Sequence, residues 1–221
     1  MNGRSGIHTL VQSLPPTTVW VPSYLCRSLF RAAWREDGRI RFYEVDYDLA
    51  IPSLQWLDDV QECDLVVFID FFGFPSDLEA MKRARTRGAW VLEDACQALL
   101  SNKVGLGADF SVFSPRKFLG VPDGGILRLN CGVDLEPSRL ESPPADWWLQ
   151  ALRASVLRRE FDVHGGGELW FELFQESEDA APLGRFAMSG LSRALLKQCF
   201  DYTEIAERRR SNYAVLSKAL A

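Results

Sequence analysis

Along the chain, short apolar runs alternate with stretches in which apolar residues recur every three or four positions. The runs at 18–21, 40–45, 65–71, 89–92, 110–113 and 125–129 are rich in Val, Ile, Phe and Trp. Gly, Pro, Asp or Asn bound them, which is the pattern of buried strands. Helical spacing falls on residues 5–14, 24–34 and 78–87, the last stopped by Gly88. It returns at 147–161 and 188–220, beyond a Pro-rich segment at 136–144 that reads as a linker. Such alternation predicts an α/β chain, a three-layer α/β/α domain with a mainly parallel sheet, helices on both faces and a ligand site at the carboxyl ends of the strands. Gly165-Gly166-Gly167 and the acidic stretch 175–179 predict a flexible loop. The expected organisation is a core over 1–135, a linker with helical and loop segments over 136–187, and a closing helix over 188–221.

Two of the runs end in reactive side chains. Glu93-Asp94 closes the run at 89–92, and Ser114-Pro115-Arg116-Lys117 follows the run at 110–113, with Pro122-Asp123-Gly124-Gly125 just beyond. If these strands are parallel neighbours, their carboxyl ends lie about 5 Å apart, close to the length of a pyridine ring. Asp94 then faces a ring nitrogen while Lys117 reaches the substituent opposite. That arrangement suits pyridoxal 5'-phosphate, for which a lysine forms a Schiff base and an acid keeps the pyridinium protonated. The chain has five lysines against twenty arginines, so a lysine between apolar strands and a Gly-rich turn stands out. Burial there would favour its neutral, nucleophilic form. Glu93 points to the other side of its strand, because successive side chains alternate, and is read as structural.

A phosphate needs donors. Gly3-Arg4-Ser5-Gly6 opens the first helix, where free backbone N–H groups and the helix dipole attract anions. Arg4 can add a fork of donors, and Ser114 a hydroxyl.

The chain resembles the pyridoxal-phosphate-dependent sugar aminotransferases of the DegT/DnrJ/EryC1/StrS family, which have the aspartate-aminotransferase fold. The matching stretches are Asn2-Gly3-Arg4-Ser5-Gly6-Ile7-His8, Val21-Pro22-Ser23-Tyr24, Phe72-Gly73-Phe74-Pro75, Glu93-Asp94-Ala95-Cys96-Gln97-Ala98, Phe113-Ser114-Pro115-Arg116-Lys117 and Asp123-Gly124-Gly125, in the family's order. The resemblance implies catalytic roles for Lys117 and Asp94. It also implies a Gln97 contact to the cofactor's ring hydroxyl and an Ala95 contact beneath the ring. It puts Cys26 where many relatives stack an aromatic ring, Arg4 where they carry a small residue such as Thr, and Arg185 where they offer an asparagine from a neighbouring subunit. These departures imply a divergent branch. The implied activity is transfer of an amino group from an amino donor to a keto group of a nucleotide-linked sugar, in a homodimer. Relatives are usually longer, so the chain looks like the large, cofactor-binding domain without the small one. A catalytically inactive binding or regulatory domain is the alternative, favoured by the short length and the substituted positions. The retention of Lys117, Asp94 and Gln97 together speaks against it.

Composition narrows the classes. A formal net charge of −5 without a basic block argues against nucleic-acid binding. Arg208-Arg209-Arg210 sits in a helical pattern with Glu204 and Glu207, the signature of a solvated helix face. No apolar stretch approaches the roughly 20 residues that cross a bilayer, and the first residues have no signal-peptide core; a cytoplasmic, soluble protein is expected. Cys26, Cys63, Cys96, Cys131 and Cys199 are scattered, with no CxxC pair, so neither a disulfide framework nor a metal site is expected. Neither His8 nor His164 has ligand-like neighbours, and no Gly-x-Ser-x-Gly elbow supports a hydrolase.

Overall fold

The computed structural model describes residues 1–130 and 140–220. Six strands, β1 (Thr18–Pro22), β2 (Arg39–Tyr43), β3 (Leu65–Ile69), β4 (Trp90–Asp94), β5 (Phe110–Phe113) and β6 (Ile126–Leu129), form one sheet in the order β2-β1-β3-β4-β5-β6. Every pairing is parallel except β5 with β6. On one face lie α1 (Gly3–Ser13) and α2 (Arg27–Ala33), and on the other α3 (Leu78–Thr86). The mainly parallel α/β/α architecture is as expected.

Both faces of the sheet are covered, so its central strands read as continuous apolar runs. In β3, Leu65, Val67 and Ile69 join the core beneath α1 and α2, whereas Val66 and Phe68 join the core beneath α3. The same alternation along β4 sends Leu92 and Asp94 toward α1 and Val91 and Glu93 toward α3. The β4–β5 register pairs Asp94 with Val112, which leaves Asp94 at the carboxyl edge, beside the turn that carries Lys117. Buried Asp64 pins the opposite edge by accepting from the Thr18 and Gln61 backbone N–H groups and from Trp20 Nε1.

Beyond β6 the structure corrects two expectations. The acidic stretch 175–179 is not a loop; it completes α5 (Leu169–Asp179), which packs antiparallel on α4 (Ala145–His164). Trp147 Nε1 donates to the Ser177 carbonyl at 2.8 Å and Gln150 bonds Glu176, contacts that hold this acidic turn helical. Only Gly165-Gly166-Gly167 interrupts the pair, with Gly165 at φ 72°. The closing helix is two helices, α6 (Gly190–Gln198) and α7 (Tyr202–Leu220). Asp201 breaks them apart because its carboxylate accepts from the Thr203 and Glu204 N–H groups and so starts a new helix. At the other end, residues 24–26 stay outside the helix, with Cys26 extended just before α2. Of the expected linker 136–144, residues 136–139 lie outside the described residues, as does Cys131. Cys26, Cys63, Cys96 and Cys199 are free thiols. Among the described residues, no helix is long and apolar enough to cross a membrane and no cluster of side chains is suited to a metal ion.

Candidate active site

A cleft of about 60 Å³ opens at the carboxyl edge of β4 and β5, between the start of α1, the 3₁₀ turn Pro115–Lys117 and the end of α5. Gly3, Arg4, Cys26, Asp94, Ser114 and Lys117, six of the residues expected in the site, line it. Asn2 caps α1: its Oδ1 accepts from the Ser5 N–H at 2.9 Å and from the Ser5 hydroxyl at 3.1 Å. Ser5 is thereby buried behind the cleft.

Gly3 is demanded by proximity. A Cβ at this position would stand 2.6 Å from Cys96 Sγ, which is itself buried, so the start of α1 lies too close to the turn after β4 for a methyl group unless Cys96 shifts. Gly3→Ala is therefore expected to destabilise the fold by about 1–3 kcal/mol, the usual cost of overpacking, measurable as a lower urea midpoint with an unchanged slope.

Asp94 is buried, and its Oδ1 accepts from the Cys96 N–H at 3.0 Å, which fixes the carboxylate at the head of the cleft. Burial, and then the charge of Asp94, push the Cys96 thiol well up, so it is an inert packing group. Lys117 is exposed, not desolvated as expected, and among the described residues its ammonium makes no ion pair. Cys26 is exposed, with its sulfur 3.1 Å from the Ser28 hydroxyl.

Two expected residues stand apart from the cleft. Ala95 is fully buried in a small apolar cluster with Ala98 and Phe113. The Gln97 side chain accepts from the Phe72 N–H at 3.2 Å and borders a separate groove of about 620 Å³. Arg185 is exposed at the strap that pairs with Glu141.

Sequence reasoning missed Arg116 and Glu178. Both line the cleft, and Glu178 ion-pairs with Arg116 and with Arg4. It also assigned no role to Asp70. This carboxylate is buried beside Glu93, with one oxygen held by the N–H and hydroxyl of Ser76 and the other without a partner.

Burial, reinforced by Asp70, pushes the Glu93 carboxyl up to about 7, while the Gly105 N–H, the Ser111 hydroxyl and Arg128 oppose the shift. A carboxyl raised in the folded state binds a proton that the unfolded chain releases. Its contribution is fully present below about 4.5 and is lost as pH rises toward about 7. Glu93→Gln is expected to gain stability relative to the native chain across that window. A difference in unfolding free energy that stays flat from pH 4.5 to 7.5 would contradict this.

With this geometry in place, the comparisons acquire meaning. Residues 60–133 match the DegT/DnrJ/EryC1/StrS aminotransferase family. The match spans β3, β4, β5, β6 and the turn with Lys117, so the resemblance seen in the motifs holds over the four strands that include β4 and β5 at the cleft. No curated protein matches the sequence significantly. Among solved structures, an assigned sugar aminotransferase of Streptococcus pneumoniae, Spr1654, is similar in its apo form. It has 13% identity and a TM-score of 0.52, over 60% of this chain and 41% of that one. Its PLP form gives 13% and 0.51, over 59% and 40%. A NifS-like protein from Rickettsia africae gives 17% and 0.51, over 64% and 42%. These likenesses establish the shared fold. The chain spans about 40% of the length of the solved structures it matches.

The cleft's donors fit pyridoxal phosphate. Arg4, Arg116 and Ser114 supply cations and a hydroxyl for a phosphate, buried Asn2 Nδ2 and Arg116 Nε lack partners, and Asp94 offers a buried acid for a ring nitrogen.

Proposed function

We propose that this protein is a pyridoxal-phosphate-dependent aminotransferase that moves an amino group from an amino donor to a keto sugar. The observation that carries the reading is the convergence of buried Asp94 and exposed Lys117 on one cleft, at the end of β4 and in the turn after the adjacent parallel strand β5, within the segment that matches the family. When bound, pyridoxal phosphate supplies an aldehyde that captures amines and a ring that accepts electron density from the substrate carbon. Asp94 holds the ring-nitrogen proton, its own oxygen oriented by the Cys96 N–H. Lys117, unpaired among the described residues and reachable, would hold the cofactor and would carry a proton to and from the substrate carbon. Arg4, Ser114 and the backbone of Gly3 hold the phosphate. Ser5 acts in this reading through the cap on α1.

The groove beside Gln97 suits the acceptor. Lys103, Arg209 and Arg210 provide positive charge for phosphates, and Phe74, Tyr213 and Phe118 provide faces for stacking, with the Arg209 guanidinium 4.5 Å from the Phe118 ring. A nucleotide-linked sugar would use both. We propose a homodimer in the cytoplasm as the working unit. The test is a single half-reaction: protein loaded with cofactor is mixed with α-amino acids, and the keto acid released is measured. One equivalent of keto acid per chain is expected. Retained cofactor without keto acid from any donor would favour the inactive binding domain.

A further inference from the structure

We infer that Arg116 joins Arg4 in a two-arginine seat for a phosphate monoester dianion, and that Glu178 occupies this seat as a displaceable internal anion. Arg4 NH1 donates to the Glu178 carbonyl at 2.9 Å and NH2 to its Oε2 at 3.2 Å, while Arg116 NH2 pairs with Oε1 at 2.5 Å. One carboxylate thus spans two guanidinium groups, as a phosphate does with its several oxygens. The arginine side chains are 11% and 16% exposed and Glu178 is 29% exposed, so the cations are the fixed partners and the anion the reachable one. Arg116 lies 6.0 Å from the Phe174 ring, and its Nε is buried with no partner, a donor left over for a ligand with more oxygens than a carboxylate has.

Charge and space agree. Burial pulls the Arg4 guanidinium down; Glu178 offsets this, and Arg116 and Arg31 add to it, so an anion is needed among these cations. With Glu178 in place its carboxylate fills the space between the two arginines that line the cleft. Glu178 is the next-to-last residue of α5, at a helix end that can release its side chain without unfolding the α4–α5 pair. Where the monoester belongs to the cofactor, the inference rests on the reading above; the seat itself requires only a phosphate.

Titration with inorganic phosphate and, separately, with pyridoxal phosphate at constant ionic strength tests it. Tryptophan emission serves as the readout, because buried Trp147 bonds the carbonyl next to Glu178. Glu178→Gln is expected to bind inorganic phosphate about tenfold more tightly than the native chain, and Arg116→Gln about tenfold more weakly, as for one charge-assisted contact. Glu178→Asp, which keeps the charge but retracts it by one methylene, should also bind more tightly and guards against misfolding of the amide variant. Native affinity in both Glu178 variants, or in Arg116→Gln, overturns the inference. Gains for inorganic phosphate without covalent uptake of pyridoxal phosphate would uphold the seat and sink the cofactor reading. Covalent uptake at Lys117 with unchanged affinities would do the reverse.

Discussion

Replacing Lys117 with alanine is expected to abolish covalent retention of pyridoxal phosphate and to slow amino transfer by roughly 10²–10⁴-fold, the range for a lost proton-transfer group. The fold should be indifferent to the change. The side chain is exposed and unpaired among the described residues, so the unfolding free energy should stay within about 0.5 kcal/mol of the native value. Lys117→Arg keeps the charge and most of the bulk but not the nucleophilic amine, and should lose retention equally. Borohydride reduction followed by dialysis in denaturant, beside a urea melt, separates the chemical from the structural effect. Retention by either variant would remove Lys117 from the reaction.

Asp123→Ala has the largest expected effect on stability. The carboxylate is fully buried in the turn after Lys117 and accepts from the Ser189 N–H at 2.8 Å and from the Ser189 and Ser192 hydroxyls, both at 2.5 Å. It ties the start of α6 to the Gly-rich turn. Its loss strands a buried N–H and two hydroxyls, which should cost about 3 kcal/mol and lower the urea midpoint. Asp123→Asn should recover part of this, since an amide keeps one acceptor oxygen. A midpoint unchanged in Asp123→Ala would mean that the α6 start is held by packing alone.

What the residues announced in advance follows from local rules. Strand alternation placed Asp94 and Glu93 on opposite faces, and the run 110–113 coincides with β5. The turn with Lys117 had to follow at the carboxyl edge. What escaped was tertiary. Glu178 meets Arg4 across 174 positions of chain, and nothing in an acidic stretch distinguishes a carboxylate seated on two arginines from one in water. That stretch looked like a loop because its helicity depends on Trp147 and Gln150 of α4. Asp123 drew no role of its own, its partners lying 66 and 69 positions on. The exposure of Lys117 was equally hidden, because the apolar strands that flank it end before its side chain begins. The break before α7 was legible in principle: Asp201 stands three residues before Glu204, a capping pattern.

One lysine of this chain is expected to carry the cofactor. Purified protein incubated with pyridoxal phosphate, reduced with borohydride, digested and mapped by mass spectrometry tests it directly. A single phosphopyridoxyl group on Lys117, absent from Lys82, Lys103, Lys197 and Lys218, is the predicted result. Labelling spread evenly over the five lysines, or none at Lys117, would contradict the account.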